Sequence, residues 1–229
     1  AARGSGAEVH ILLEVKKLWL AAFPAVDTAE TLKLCQELYP VVEAGRNILE
    51  VGLNNGNPVA HPVPALLNAG RVEFSGGQFY HYKEGITPHV AQVIEDLDRE
   101  RLALCACMGY PEIPTLERLN LMGYAVSRES LHRAYTTSPV FCGPEPIKGP
   151  HNVFDRYYVE DASFGLTTWA SLGRAIGIDT PVMDAVIRLI SSLHRTDYFA
   201  AGARTLVKLG LDGLPVDQIN QYLEAGQLN

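Results

Sequence analysis

The chain has 229 residues, a formal net charge of -7 and an isoelectric point near 5.5. This length allows a sizeable core, in one large domain or two small ones. The acidic balance, without clustered Lys and Arg, argues against a nucleic-acid-binding surface and favours small-molecule partners. The apolar runs are too short to cross a bilayer and no secretory signal is visible, which predicts a cytoplasmic protein.

Residues 8 to 24 predict two short strands at the start of the chain. Val9, Ile11, Leu13 and Val15 alternate with more polar residues, and residues 18 to 23 form a continuous apolar run. Two strands alone are only marginally stable in water. We therefore expect them to be the edge of a larger sheet whose other strands lie outside this chain.

The rest of the chain is predicted to be mainly helical. The clearest helix spans residues 88 to 108, with Thr87 as its N-cap, Pro88 in its first turn and Gly109 after its end. Residues 48 to 53 are predicted to be a short extended piece. Further helices are expected at about residues 28–39, 114–122, 128–135, 164–176, 181–194, 198–209 and 216–225.

A histidine between two prolines is the best candidate for a catalytic group. His61 is flanked by Pro62 and follows Pro58, and Asn55 and Asn57 lie just before it. Prolines stiffen the backbone, asparagines offer amide donors and acceptors, and an imidazole can give and take a proton near neutrality. A hydrogen-bonded structural histidine is the alternative, and from residue types alone it is the commoner one.

A catalytic histidine usually needs a carboxylate behind it. The charged and aromatic cluster at residues 154 to 161 offers Asp161 or Glu160, although Asp161 could instead cap the helix that follows. Arg156 could clamp a substrate carboxylate or form a surface ion pair with Asp155 or Glu160.

The remaining titratable residues are predicted to be structural. Residues 96 to 101 are expected to form the solvated face of the long helix. His81 and His89 are expected to be exposed or capping, and His194 has no evident partner. The cysteines lack CxxC and zinc spacing, so we expect buried free thiols and no metal site.

Several motifs, taken in order, resemble one known family, the opine dehydrogenases, in their C-terminal catalytic domain. The motifs are Asn55-x-Asn57-x-x-x-His61-Pro62, Glu84-Gly85-Ile86-Thr87-Pro88, Asp98-x-Glu100-Arg101, Arg156-Tyr157 with Glu160-Asp161, and Thr180-Pro181 with Ile190-Ser191-Ser192-Leu193. The resemblance covers almost the whole chain.

The resemblance implies an NAD- or NADP-dependent enzyme that reductively condenses a 2-oxo acid such as pyruvate with the amino group of an amino acid. Under it, His61 is the acid/base residue and Asp161 its orienting carboxylate. Arg156 holds a substrate carboxylate, and Asn55 and Asn57 shape the same wall.

The resemblance also implies a fold and a missing part. The expected fold is mainly α, a helical C-terminal dehydrogenase domain of the 6-phosphogluconate dehydrogenase type. Residues 1–24 would be remnant strands of a nucleotide-binding domain and residues 25–229 the helical catalytic domain. The chain lacks the glycine-rich cofactor fingerprint, so the cofactor would be bound mainly by a domain or subunit outside it.

Two other functions remain open at this point. One is a non-catalytic helical module for dimerisation or ligand binding. A homodimer is also possible under the opine dehydrogenase hypothesis. The other keeps the scaffold but acts on another 2-hydroxy or branched acid.

Overall fold

The computed structural model describes residues 11–202 and 204–228. This part of the chain is mainly helical with two short strands, which confirms the predicted fold class. No helix within it is long and apolar enough to span a membrane. All four cysteines are free, as expected, but Cys105 alone is fully buried and Cys107 is exposed.

The two strands form a parallel pair joined through a helix. Strand β1 (Leu18–Leu20) pairs with β2 (Val42–Ala44), with Trp19 opposite Glu43. A 3₁₀ turn and helix α1 (Thr28–Leu38) connect them. This is the right size for a βαβ crossover, which parallel strands require because a tight hairpin cannot join them.

The prediction of two strands within residues 8–24 was therefore right for the second strand, since β1 lies within the apolar run of residues 18 to 23, and wrong for the described part of the first. Residues 11–17 form no strand, residues 8–10 lie outside the described part, and the partner of β1 lies beyond residue 24. An alternating pattern near one strand could not reveal a partner on the far side of a crossover helix.

The other helices follow in chain order, and a π-helical segment, Asp161–Leu166, joins two of them. They are α2 (Ile48–Leu53), α3 (Asn57–Ala60), α4 (Pro62–Leu67), α5 (Ala69–Ser75), α6 (Pro88–Met108), α7 (Thr115–Met122), α8 (Leu131–Thr136), α9 (Arg156–Glu160), α10 (Thr167–Ile176), α11 (Pro181–His194), α12 (Tyr198–Ala201), α13 (Leu206–Leu209) and α14 (Val216–Ala225).

Helix α6 is the central helix and matches its prediction at both ends. The Thr87 hydroxyl accepts a hydrogen bond from the Val90 amide, and Gly109 ends the helix in the left-handed conformation, with φ of 72°. Ile94, Leu97, Leu104 and Met108 on its inner face are essentially inaccessible and form the middle of the core.

Two other predictions of local structure were wrong. Residues 48–53 form helix α2 because the Asn47 side chain caps it, accepting hydrogen bonds from the amides of Leu49 and Glu50 at 3.0 and 3.1 Å. The single helix expected over residues 198–209 is instead the two short helices α12 and α13.

The expected solvated face of α6 is partly buried, because two other helices begin against it. The Asp98 carboxylate accepts hydrogen bonds from the amide and hydroxyl of Thr115, at the start of α7, and pairs with fully buried Arg101. The Glu100 carboxylate accepts bonds from the amides of Val182 and Met183, in the first turn of α11, at 2.6 and 2.9 Å. These charges therefore fix helix positions.

Candidate active site

His61 lies at the joint between two short helices, each of which has a proline in its first turn. It ends α3, where Pro58 is in the first turn, and precedes α4, where Pro62 is the first residue. Proline is well tolerated in a first helical turn, since the amide it lacks would have no helical partner there. The spacing of the prolines thus breaks the chain into two helices and places His61 between them.

The buried imidazole of His61 is hydrogen-bonded at both ring nitrogens. Nδ1 lies 2.8 Å from Oδ2 of Asp161, and Nε2 lies 3.0 Å from the hydroxyl of Tyr82. His61 is 7% exposed and Asp161 is 4% exposed. A carboxylate at Nδ1 orients the ring and favours the tautomer that carries its proton on Nδ1, which leaves Nε2 free to accept a hydrogen bond.

Asp161 reaches His61 from a segment 100 residues further along the chain. It is the first residue of the π-helical segment, and its side chain does not cap that segment, so the capping alternative was wrong. The segment packs closely on α3 because residue 165 is glycine: a Cβ there would lie 2.5 Å from Cγ of Pro58. Single π turns inside helices often occur at functional sites.

Aromatic rings surround the His61–Asp161 pair. The Tyr157 ring stacks on the His61 ring with centroids 4.1 Å apart, and the His81 ring lies edge-on to the His61 ring with centroids 6.5 Å apart. Burial, followed by the nearby Tyr157 and Tyr135, raises the pKa of Tyr82 well above its ordinary value. Tyr82 therefore keeps its proton and can donate it as a hydrogen bond to Nε2 of His61.

His61 opens into a cavity of about 550 Å³, within the usual range for small-molecule sites. Residues 12–19 near β1 form one wall, and side chains from helices and loops form the other. Its polar lining comprises Asn54, Asn55, Asn57, His61, Tyr82, Arg118, Tyr124, Tyr135, Arg156 and Tyr157.

The structure thus brings together all five residues predicted for the site, with Asp161 behind His61. Asn55 is exposed, and its side-chain oxygen accepts a bond from the Asn57 amide at 3.1 Å. Arg156 lines the cavity and also makes the surface ion pair offered as an alternative, from Nε to Glu160 at 3.0 Å. The two interpretations of Arg156 are therefore compatible.

Sequence reasoning missed several residues of the site. Tyr82, Tyr135 and Arg118 line the cavity, and His81 is fully buried rather than exposed. One signal was available for Arg118: it shares the spacing of Thr115, Leu119 and Met122, so a charge stood on the inner stripe of α7. Isolated tyrosines and a lone histidine offered no comparable signal.

His194 was also misjudged, because it has two partners. Its Nδ1 lies 2.8 Å from the Tyr198 hydroxyl and its Nε2 lies 2.6 Å from the Val153 carbonyl. His194 does not line the cavity of His61. It fastens the end of α11 to the loop before α9.

The described residues do not fit a complete dinucleotide. The pyrophosphate of such cofactors usually rests on a glycine-rich turn between a strand and a helix. Here the turn between β1 and α1 is Ala21-Ala22-Phe23-Pro24-Ala25-Val26-Asp27, without glycine. Within residues 11–202 and 204–228, no group of three or more His, Cys, Asp or Glu side chains is placed to hold a metal ion.

Comparisons with known proteins agree on one family. Residues 44–194 match the family described as NAD/NADP octopine/nopaline dehydrogenase, alpha-helical domain. An opine dehydrogenase from Arthrobacter sp. (strain 1C) is 40% identical over 204 residues, which cover 89% of this chain and 55% of that protein. Vitopine synthase from Allorhizobium ampelinum is 24% identical over 216 residues, covering 93% and 58%.

Solved structures show the same fold. An octopine dehydrogenase in complex with NADH and agmatine aligns with a TM-score of 0.65 at 18% identity, over 90% of this chain and 56% of the other. An octopine dehydrogenase with NADH and L-arginine gives a TM-score of 0.64. The chain spans just over half the length of the relatives that it matches.

Proposed function

Because this chain belongs to the octopine/nopaline dehydrogenase family through its alpha-helical domain, we propose that it is the catalytic and substrate-binding part of an opine dehydrogenase. The reaction joins a 2-oxo acid, such as pyruvate, to the amino group of an amino acid and reduces the product to a secondary amine. The buried contact between His61 and Asp161, at the wall of a cavity of substrate size, carries the proposal.

In this proposal His61 handles the protons of the condensation. The amine nitrogen attacks the keto carbon, and the resulting carbon–oxygen bond must break to release water. The imidazole, oriented by Asp161 through Nδ1, first takes a proton from the attacking amine nitrogen on Nε2 and then gives it to the departing hydroxyl, so that water leaves and a carbon–nitrogen double bond forms. Tyr82 holds Nε2 at 3.0 Å until a substrate takes its place.

Arg156 is proposed to hold a substrate carboxylate at the cavity mouth. Its guanidinium is about half exposed, and the hydrogen bond to Glu160 raises its pKa, so it stays charged. Asn55 and Asn57 line the same part of the cavity and can direct amide groups at the substrate.

The NAD or NADP cofactor is assigned to a part of the protein outside this chain, which would supply the hydride. The strand pair supports this assignment, since parallel strands joined by a crossover helix normally belong to larger sheets covered on both faces. Among the described residues they form a two-stranded sheet, and α1 leaves Leu34 63% and Leu38 77% exposed. A nucleotide-binding domain would extend this sheet and cover these side chains.

A chimera tests the catalytic assignment. In it, this chain replaces the matching part of the Arthrobacter opine dehydrogenase, and consumption of NADH or NADPH is followed with pyruvate and a panel of amino acids. We expect His61→Asn and Asp161→Asn each to lower kcat/KM at least about 100-fold, the usual effect of losing acid/base catalysis. His89→Asn, at an exposed histidine, is the control and should leave turnover unchanged.

The outcome also separates the alternatives. Turnover that survives both substitutions would remove His61 and Asp161 from the mechanism. Tight self-association of the chain without binding of a 2-oxo acid or an amino acid would favour a helical dimerisation module. Product analysis across the amino-acid panel identifies the substrate.

A further inference from the structure

Arg118 is a buried arginine that lacks the partners a buried charge needs. It projects from the inner stripe of α7, is 5% exposed, and lines the cavity of His61. Its Nε and Nη2 atoms are buried and have no hydrogen-bond partner among the described residues. An uncompensated buried charge is strongly unfavourable, and native proteins rarely keep one without a reason.

The other buried arginine in this region shows the contrast. Arg101 donates hydrogen bonds to the Leu53 carbonyl at 3.2 Å, to the Ile113 carbonyl at 2.7 Å and to the Asp98 carboxylate. Asp98 accepts its hydrogen bonds from Thr115 and Arg101, and neither Nε nor Nη2 of Arg118 is hydrogen-bonded to it. Burial lowers the pKa of Arg118; nearby Tyr135 and Asp98 act in the opposite direction and Arg101 in the same one, and the net shift is downward.

The unpartnered polar groups cluster around one cavity. Among the described residues, buried side-chain nitrogen or oxygen atoms without a hydrogen-bond partner occur in Asn54, His81, Arg118 and Tyr135. Three of these residues line the cavity, and His81 packs against the edge of His61. Several buried polar groups without partners around one cavity indicate a binding site for a polar ligand.

The Arg118 guanidinium is also confined on one side. It lies against the backbone of Gly56, where a Cβ would overlap Nη1 and come within 2.6 Å of Nη2. The bare backbone at residue 56 therefore provides the space for this group. Nε and Nη2 form one edge of the guanidinium, and a carboxylate can bridge this edge with two parallel hydrogen bonds.

We propose that Arg118, with the hydroxyl of Tyr135, forms a second carboxylate-binding subsite inside the cavity, separate from Arg156. This inference rests on the proposed function, because opine formation joins two substrates that each carry a carboxylate. Arg156 is exposed and forms an ion pair with Glu160. Arg118 is buried and uncommitted, so it holds the carboxylate that enters deeper.

Equilibrium binding to the 229-residue chain tests the subsite without turnover. Trp19 lines the cavity, so its fluorescence can report binding. The probes form two pairs that differ by a carboxylate: pyruvate with acetone, and L-arginine with agmatine. We expect at least one acid to bind about 10-fold more tightly than its partner, and Arg118→Met to weaken that acid roughly 10- to 100-fold while leaving the partner unchanged.

The two pairs identify the source of the carboxylate. Loss of pyruvate binding alone assigns Arg118 to the 2-oxo acid, and loss of L-arginine binding alone assigns it to the amino acid. Equal binding of acid and partner by the unaltered chain would overturn the proposal, and so would an Arg118→Met chain that binds as before. The matched control is Arg133→Met, at an arginine that is more than half exposed.

Two further variants keep the test decisive if Arg118→Met fails to fold. Gly56→Ala displaces the guanidinium but keeps its charge, and Tyr135→Phe removes only the hydroxyl; both should weaken the same acid. Unchanged binding in both would contradict the subsite. Turnover of the chimera that survives His61→Asn would refute the catalytic role of His61 but would leave these binding results intact.

Discussion

His81 is a fully buried histidine whose two ring nitrogens have no hydrogen-bond partner among the described residues. Burial, and to a lesser degree the neighbouring His61, lowers its pKa from 6.5 to about 3. The unfolded chain therefore takes up a proton here below pH 6.5, whereas the folded chain stays neutral until about pH 3. Folding stability from this residue is fully present above pH 6.5 and is lost as the pH falls through this window.

The size of the effect follows from the shift. Each unit of pKa difference corresponds to about 1.4 kcal/mol. At pH 5, about 1.5 units below the ordinary pKa of histidine, His81 therefore lowers the free energy of unfolding by about 2 kcal/mol. His81→Phe keeps an aromatic ring between Tyr82 and Tyr157, whose centroids lie 4.9 and 4.8 Å from that of His81. It removes the two unpartnered nitrogens and the titration.

Urea unfolding at pH 7, 6 and 5, followed by circular dichroism, measures the free energy of unfolding. Between pH 7 and pH 5 we expect His81→Phe to lose about 2 kcal/mol less than the unaltered chain. The same substitution at exposed His89 shows how much of the change comes from losing any histidine. Parallel curves for His81→Phe and the unaltered chain would refute the reasoning, since a histidine that titrates alike in both states contributes no slope.

Two more predictions concern packing that supports the site. Asp98→Asn leaves the fully buried Arg101 without its carboxylate, and we expect the free energy of unfolding to fall by about 3–5 kcal/mol. The control is Asp96→Asn, in an exposed pair with Arg99, which should change the free energy of unfolding by less than about 1 kcal/mol. Gly165→Ala forces the π-helical segment away from Pro58, so we expect it to lower the free energy of unfolding by about 1–3 kcal/mol and to lower turnover of the chimera. The control is Gly52→Ala in α2, where open space surrounds the added methyl group, and it should be neutral or stabilising. Urea unfolding measures both pairs, and equal effects within a pair would contradict the packing argument.

Local signals predicted the long helices well. Helix α6 has a cap, a proline and a terminal glycine that act within its own sequence, and these set both of its ends. Helix α2 had a similar signal, because Asn47 is followed three residues later by Glu50, but the short apolar run was interpreted as extended. That error was avoidable from the sequence.

Other features could not be predicted because distant segments produce them. The pairing of β1 with β2 depends on a crossover, and the burial of Asp98 depends on where α7 begins. Residue types singled out His61 and offered Asp161 and Arg156 as candidates, and the family resemblance gave them roles, but the contact between His61 and Asp161 spans 100 residues and needed the fold. Arg118 was missed because helix periodicity places a charge on a face without showing what that face encloses.

The wall of the cavity that carries Leu13, Val15 and Trp19 belongs to the segment that leads into and forms β1, whereas His61 and Arg118 stand on the helical body. A backbone bond from the Lys16 amide to the Met122 carbonyl, at 3.1 Å, ties the two sides together. Any rotation of the strand pair against the helices would therefore change the width of the cavity as well. The angle between the strand pair and the helical body would then set how far the cavity around His61 opens.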